Sequence, residues 1–156
     1  GNDANNLVVP TDAASYADAT GTLRLSSGTM TGWSGNGGPV PSMTTLAQMY
    51  ERAAASPAEK LPPAWSDAKD RVNQAAGLDI AIDSDIGSGC AGCGVLSAAG
   101  ELVGVVFDGN RPSAAGRYWF DATTNRAVAL DTAAIRELLI KVYRTEELMK
   151  EIVVSR

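Results

Sequence analysis

The sequence predicts a mainly β fold with helices: an antiparallel barrel that carries inserted helices and C-terminal helices. About seven short segments rich in β-branched residues are separated by glycine and other turn residues, and helical apolar spacing occurs at two places. The 156 residues suffice for one domain with its own core. We predict an extended segment at residues 1–15 and a single domain at 16–156, with a helical insertion at about 43–76 and C-terminal helices at about 131–152.

The first half of the chain alternates turn signals with helical patterns. Residues 20–33 predict a hairpin around Ser27-Gly28, and "SGNGGPVP" at 34–41 predicts a loop. Leu46, Met49, Tyr50 and Ala53 have helical spacing. A capping box, Ser56 with Glu59, predicts a short helix, and a further helix is expected at 64–76 with Gly77 as its C-cap.

The second half is richer in strands. "LDIAI" at 78–82 alternates with period two, and "GVLSA" and "ELVGVVFD" are strands joined by Ala99-Gly100. "RYWFD" and "RAVAL" flank a "TTN" turn, which predicts a hairpin. From Asp131, a natural N-cap, the chain predicts one broken helix or two consecutive helices. Their apolar face is formed by Ile135, Leu138, Leu139 and Val142.

Composition excludes several function classes. The formal charge is −5 and the basic residues are scattered, which argues against nucleic-acid binding. No apolar run approaches the roughly 20 residues that a membrane span needs. The chain contains no histidine, so it has no imidazole base and no histidine metal ligand. We predict no metal and no cofactor.

One long stretch carries a family resemblance. "DIGSGCAGCGV" at 85–95 is similar, without a gap, to the nucleophile loop of the bacterial serine dipeptidyl peptidases 7 and 11, with matches at Asp85, Ile86, Gly89, Gly92 and Val95. "GELVG" at 100–104 and "FDGN" at 107–110 follow at the family's spacing, and "TLRL" precedes them. The resemblance runs from about residue 16 to 152. It departs at Ala133, where the family usually has arginine.

The resemblance implies a fold and a reaction class. Members have a chymotrypsin-type double barrel and release dipeptides from free N-termini, and this chain resembles their C-terminal lobe only. The family's catalytic His and Asp lie in an N-terminal barrel, so the implied partners are peptides with a free N-terminus and such a lobe, or a second copy of this chain. The resemblance also implies a periplasmic or secreted location.

Ala91 stands at the nucleophile position, where the family has serine. The loop resemblance assigns the oxyanion-binding N–H groups to Gly89 and Ala91. An oxyanion cradle can persist without the hydroxyl, but acyl transfer cannot. Both natural divergence and an engineered substitution fit Ala91; the departures at Cys90, Cys93 and Gly94 favour divergence.

Cys90 and Cys93 form a C-x-x-C pair with several interpretations. A nucleophilic Cys93 is disfavoured because it lies two residues past the nucleophile position and the chain lacks a histidine to activate it. A redox couple would need a helix start in a βαβ context, and a zinc site would need two more ligands. Two buried thiols or a local disulfide are favoured.

"FDGN" supplies the remaining candidate residues. By resemblance Phe107, Asp108, Gly109 and Asn110 line the pocket for the residue before the scissile bond. In the family a basic residue at the Gly109 position accompanies acidic substrates and glycine accompanies apolar ones, and glycine would leave open, uncharged volume. The alternative is a strand-end turn glycine.

The remaining features favour structural roles. Trp33, Trp65 and Trp119 are expected in the core or an interface, and Asp83 and Asp85 are expected to cap turns. The function predicted from the resemblance is that of a dipeptidyl-peptidase-like lobe that is inert as given. The alternatives are a non-catalytic peptide- or protein-binding domain and a purely structural module.

Overall fold

The computed structural model describes residue 23 and residues 25–35, 37–86, 90–115 and 118–153. Its strands form two antiparallel sheets. A hairpin consists of β1 (Trp33–Gly35) and β2 (Gly38–Val40). The larger sheet has the order β3-β4-β7-β6-β5, with β3 at Met43–Thr45, β4 at Gly77–Ile82, β5 at Gly94–Leu96, β6 at Leu102–Gly109 and β7 at Ala127–Asp131.

The helices lie before and after the strands that carry the candidate site. Helix α1 (Leu46–Ala55), a 3₁₀ turn (Pro57–Glu59) and α2 (Pro63–Asp67) connect β3 to β4. A second 3₁₀ turn (Arg111–Ala115) follows β6. After β7 come α3 (Thr132–Glu137), a π-helical turn (Leu138–Val142) and α4 (Glu146–Ile152).

Two helix starts follow directly from local sequence. Thr45 caps α1 in a capping box with Gln48, and Asp131 caps α3 by accepting a 2.8 Å hydrogen bond from the Ala133 N–H. The broken C-terminal helix is confirmed, with Arg144 at φ 54° between its two parts. Ser56 makes no side-chain capping bond, so the capping box predicted there is wrong.

The helix expected at 64–76 is shorter than predicted. It ends at Asp67, and turns continue to Ala76. The Asn73 side chain accepts a hydrogen bond from the Ala75 N–H, while the Asn73 N–H donates to the Glu137 carboxylate. Asn73 thus stabilises a turn within the segment that was predicted as helix.

Three strand assignments also differ from the sequence prediction. The segment predicted as a loop at 34–41 contains the β1–β2 hairpin, in which Gly38 adopts φ 114°. In the described part of 20–33, residues 25–29 are not strand, and Met30 forms a single bridge with Ile82 on β4 instead. Residues 118–121 are turn and coil: the N–H groups of Tyr118 and Trp119 both donate to the Ala115 carbonyl oxygen, and Asp121 Oδ1 accepts from Thr123 in the turn that follows.

The core consists of two apolar clusters. One lies between the helices and one end of the sheet, and Trp65 packs against it; the other lies on the sheet around Ile80, Ile82, Val106, Ala127 and Ala129. Trp33 is half-buried, whereas Trp119 is 62% exposed and lies outside the core, so for Trp119 the interface remains the prediction.

The mainly antiparallel β fold with helices is confirmed. The described strands form an open row from β3 to β5, and closure into a barrel stays a prediction. Among the described helices none is long and apolar enough to cross a bilayer.

Candidate functional site

The position that the family resemblance assigns to the nucleophile lies in a tight turn. Cys90 to Cys93 form a β-turn, closed by a 2.9 Å hydrogen bond from the Cys93 N–H to the Cys90 carbonyl oxygen. Ala91 and Gly92 occupy its two central positions and are exposed. Gly92 has φ 93°, the positive value that the third residue of a type II turn requires.

Two hydrogen bonds join this turn to β6. The Gly92 N–H donates to the Val106 carbonyl oxygen at 2.7 Å, and the Val106 N–H donates to the Cys93 carbonyl oxygen at 2.8 Å. Two residues of the turn thus face one residue of β6, which is the arrangement of a G1 bulge with glycine first. The turn that carries Ala91 therefore lies beside the end of β6.

Only one of the two predicted oxyanion donors can be described. The Ala91 N–H makes no hydrogen bond to another described residue, whereas the amides of Gly92 and Cys93 are both engaged. Gly89 lies outside the described residues. The side chain at the nucleophile position is a methyl group, which supplies neither a nucleophile nor a proton.

Phe107 and Asp108 are exposed at the end of β6. The register of β6 against β7 shifts between Val106 and Asp108, so Phe107 is the extra residue of an irregularity and its side chain is 52% exposed. Asp108 Oδ1 accepts a 2.8 Å hydrogen bond from the Gly109 N–H. The bulge thus contains two consecutive exposed residues, one aromatic and one acidic.

Gly109 is more crowded than the sequence suggested. A Cβ atom at this position would lie 2.9 Å from Ser113 Cβ, 3.3 Å from Ile86 Cδ1 and 3.4 Å from the Arg126 carbonyl oxygen. The expectation that glycine leaves open volume here is wrong, because the 3₁₀ turn after β6 folds Ser113 back over the strand end.

Asn110 holds this strand end in place. Its side chain is 7% exposed. Its Oδ1 accepts from the Ser113 hydroxyl at 2.7 Å and from the Arg126 N–H at 3.0 Å, and its Nδ2 donates to the Thr124 carbonyl oxygen at 2.7 Å. Both polar ends of the amide are therefore used within the fold, which gives Asn110 a supporting role.

Arg126 is a buried residue that sequence reasoning missed. Its side chain is 4% exposed, and its guanidinium donates to main-chain carbonyl oxygens at distances of 2.6 to 3.3 Å. The acceptors are those of Thr31, Gly32, Ala122, Thr123 and Asn125. A single cation thus joins the segment before β1 to the turn before β7.

Asp83 has a structural role, but it joins two distant segments rather than capping a turn as expected. Its carboxylate accepts from the Thr29 N–H at 2.6 Å and from the Thr29 hydroxyl at 3.1 Å. The main-chain hydrogen bond from Thr29 is the largest of the effects that hold the pKa of Asp83 below its usual value. At Asp85, the N–H donates to the Ser26 hydroxyl at 3.0 Å.

Cys90 and Cys93 match neither of the favoured interpretations. No disulfide joins them, and Cys93 is exposed while Cys90 is half-buried. The described residues contain no group of three potential metal-ligating side chains of the His, Cys, Asp or Glu types.

Comparison with known proteins identifies the family. The model of the family described as Peptidase S46 matches residues 3–154. Three crystal structures of DPP11 from Porphyromonas endodontalis match the fold. The complex with the dipeptide Arg-Asp has 20% identity, a TM-score of 0.71, and coverage of 81% of this chain and 20% of that chain.

The complex with substrate has 21% identity, a TM-score of 0.70, and coverage of 80% and 20%. The alternate conformation has 20% identity, a TM-score of 0.70, and coverage of 83% and 21%. The chain therefore spans about a fifth of the length of these structures. The resemblance to the dipeptidyl peptidases 7 and 11 is confirmed, and the chain belongs to the peptidase S46 family.

Proposed function

We propose that this chain is the C-terminal lobe of a dipeptidyl-peptidase-like protein, and that as given it binds peptides without cleaving them. The observation that carries the proposal is the pair of hydrogen bonds between the Ala91 turn and Val106. They hold the turn, to which the resemblance assigns one of the oxyanion-binding N–H groups, beside the strand that ends in "FDGN", while the side chain of Ala91 is a methyl group.

The chemistry of the chain supports binding without hydrolysis. A nucleophilic serine needs a base to take its proton, and the 156 residues contain neither the serine at position 91 nor any histidine. The exposed Asp108 carboxylate and the net charge of −5 favour the free ammonium group of a peptide over an anionic ligand. The exposed Phe107 ring offers apolar contact beside it.

The experiment compares two tripeptides, Ala-Leu-Ala with a free N-terminus and its N-acetylated form. We expect the free peptide to bind in calorimetric titration and to remain intact over hours by mass spectrometry, and the acetylated peptide to bind at least tenfold more weakly. Asp108→Asn should remove this difference, and Arg111→Ala, an exposed neighbour outside the strand end, should preserve it. Equal binding of both peptides would overturn the proposed recognition.

A second lobe is a further part of this proposal. The chain covers about a fifth of the matched structures, and Trp119 is exposed near the candidate site in sequence. Both observations favour a histidine-bearing lobe that completes the cleft, or self-association. Addition of a purified N-terminal lobe of a family member, followed by size-exclusion chromatography, tests this directly.

A purely structural module is the alternative function. It predicts no peptide binding by the unmodified chain under any of these conditions. By family membership we also propose a periplasmic or secreted location, which fractionation of the source cells would test.

A further inference from the structure

Cys90 and Cys93 flank the two central residues of the exposed turn that carries Ala91. We propose that this pair of thiols binds one Cu(I) ion between its two sulfur atoms, in a site that a single chain completes. The inference goes beyond the proposed function and does not depend on peptide binding. It departs from the sequence-based prediction of no metal, which rests on the missing histidine and on the four ligands that zinc requires.

The turn holds the two cysteines close together. The 2.9 Å hydrogen bond from the Cys93 N–H to the Cys90 carbonyl oxygen closes the turn. The first and fourth residues of a β-turn have Cα atoms within about 7 Å of each other. No disulfide joins the pair, and Cys93 is exposed while Cys90 is half-buried. Both thiols therefore start from neighbouring backbone positions, and an ion can reach the pair from the solvent at Cys93.

Backbone hydrogen bonds attach this turn to the core before any ion binds. The Gly92 N–H donates to the Val106 carbonyl oxygen at 2.7 Å, and the Val106 N–H donates to the Cys93 carbonyl oxygen at 2.8 Å. Val106 is 5% exposed and belongs to the apolar cluster on the sheet. Ion binding therefore has little further chain to order, which lowers its entropic cost.

The number and type of ligands select the metal. The chain has two cysteines and no histidine, and its described residues contain no group of three potential ligands of the His, Cys, Asp or Glu types. The described methionines lie on other elements: Met30 bridges to β4, and Met43, Met49 and Met149 belong to β3, α1 and α4. Zinc needs four ligands. Soft thiolate ligands select Cu(I), which is stable with two of them in a line.

Binding exchanges protons for the ion and moves no electron. Two thiols and one Cu⁺ give one dithiolate complex and two released protons, because the thiolate is the form of cysteine that binds metals. The net charge of −5 favours a cation at the surface of the chain. The affinity for Cu(I) should therefore decrease as the pH is lowered.

The first experiment measures stoichiometry and identifies the ligands. The reduced chain is titrated with Cu(I) under anaerobic conditions, in competition with the chromogenic chelator bathocuproine disulfonate. We expect one Cu(I) per chain. Cys90→Ser and Cys93→Ser, each of which keeps one thiol, should weaken binding by more than the roughly 10–100-fold that loss of a supporting residue costs. Unchanged affinity in either variant would overturn the proposal.

Glu101→Gln is the matched control for this titration. Glu101 is exposed at the opposite end of β5 from the turn, so its carboxylate tests whether surface charge alone attracts the ion. We expect this variant to bind Cu(I) as the unmodified chain does. If Glu101→Gln weakens binding as much as the cysteine variants do, the site is not the thiol pair.

The second experiment separates a site that the fold builds from two thiols that bind anywhere in the chain. An ion that prefers the folded chain raises its melting temperature, whereas equal binding to the unfolded chain does not. One equivalent of Cu(I) should raise the melting temperature of the unmodified chain by at least about 3 °C and leave that of Cys93→Ser unchanged. No increase in the unmodified chain means that the turn does not form the site.

Zinc distinguishes the single-chain site from a site that two copies share. With two thiolates per chain, Zn²⁺ would need a second chain to reach four ligands. We expect zinc to leave both the association state in size-exclusion chromatography and the melting temperature unchanged. Binding of one zinc ion per two chains, with a matching increase in mass, would overturn the two-coordinate assignment.

Discussion

The main-chain N–H of Gly92 donates a 2.7 Å hydrogen bond to the carbonyl oxygen of Val106. Through this bond the turn that carries Ala91 is attached to the strand that carries Phe107 and Gly109. The turn and the strand end are therefore joined through backbone atoms, and this connection does not depend on the side chain at position 91. Under the proposed function, this bond would hold the turn beside the strand end in a lobe that binds peptides without cleaving them.

Gly92→Ala should destabilise the turn. Gly92 has φ 93°, a conformation that residues with a Cβ adopt at a cost of about 1–2 kcal/mol. We expect a lower melting temperature and weaker peptide binding, because the Ala91 N–H loses its orientation. Gly37→Ala is a suitable control, since a Cβ at Gly37 meets nothing within 4 Å. An unchanged melting temperature of Gly92→Ala would contradict this account of the turn.

Ala91→Ser should leave the isolated chain inactive. The restored hydroxyl has no histidine to accept its proton, and an unassisted serine is a poor nucleophile at neutral pH. Hydrolysis of dipeptidyl anilides should stay at the buffer rate for both forms, and a fluorophosphonate probe should label neither. Turnover that the probe abolishes would refute the assignment of an inert lobe.

Arg126→Lys should be strongly destabilising. The guanidinium donates to five main-chain carbonyl oxygens in a fixed fork, and an ammonium group cannot reach them all. Carbonyl groups that lose a partner in a buried site cost about 1–3 kcal/mol each, so we expect a loss of at least about 3 kcal/mol in urea unfolding. Arg111→Ala, on an exposed side chain, should change stability by less than about 0.5 kcal/mol.

Elements with local signals were predictable from sequence. The β5–β6 hairpin turns at Gly100, which has φ 80°, and Asp131 caps α3, because in both cases the deciding contacts lie within a few residues. The match of "DIGSGCAGCGV" to a nucleophile loop located the Ala91 turn for the same reason. In that stretch the residue types and their spacing are enough to predict a turn.

Contacts distant in sequence were not predictable. Arg126 Nε donates to the Thr31 carbonyl oxygen, 95 residues away, and a lone arginine before a strand gives no sign of burial. The crowding at Gly109 arises because the 3₁₀ turn brings Ser113 back over β6. The sequence "NRPSA" does contain a local signal for the 3₁₀ turn, because an asparagine and, two residues later, a proline are both typical of turns.

Asp83→Asn and Asp79→Asn should have opposite effects at neutral pH. The hydrogen bond from the Thr29 N–H holds the pKa of Asp83 below its ordinary value of 3.8, so the ionised carboxylate stabilises the fold above that pH. Desolvation by burial raises the pKa of Asp79, although the Thr44 hydroxyl donates to it, so its ionised form weakens the fold.

The two variants should therefore change the melting temperature in opposite directions. At pH 7 Asp83→Asn should lower the melting temperature, and this difference should shrink as the pH falls through the native pKa of Asp83. Asp79→Asn should raise the melting temperature at pH 7, because an amide accepts the Thr44 hydrogen bond without a buried charge. That gain should disappear below pH 3.8, where Asp79 is protonated in both states. Melting curves of both variants at pH 7 and pH 3 test these expectations. If each variant shifts the melting temperature by the same amount at both pH values, the roles assigned to the two ionised carboxylates are wrong.

Trp119→Ser should reduce association of the chain. Trp119 is 62% exposed, and an indole of that exposure gains stability when another surface covers it. We expect the unmodified chain to sediment above its mass of 16.2 kDa at tens of micromolar, or to bind a purified N-terminal lobe, and the variant to do neither. Leu148→Ser is the matched control, because Leu148 is 44% exposed on α4, away from β6 in sequence. If the unmodified chain is a monodisperse monomer and does not bind the N-terminal lobe, Trp119 is not part of an interface. If Leu148→Ser reduces association as much as Trp119→Ser, the association depends on exposed apolar side chains in general and not on the surface around Trp119.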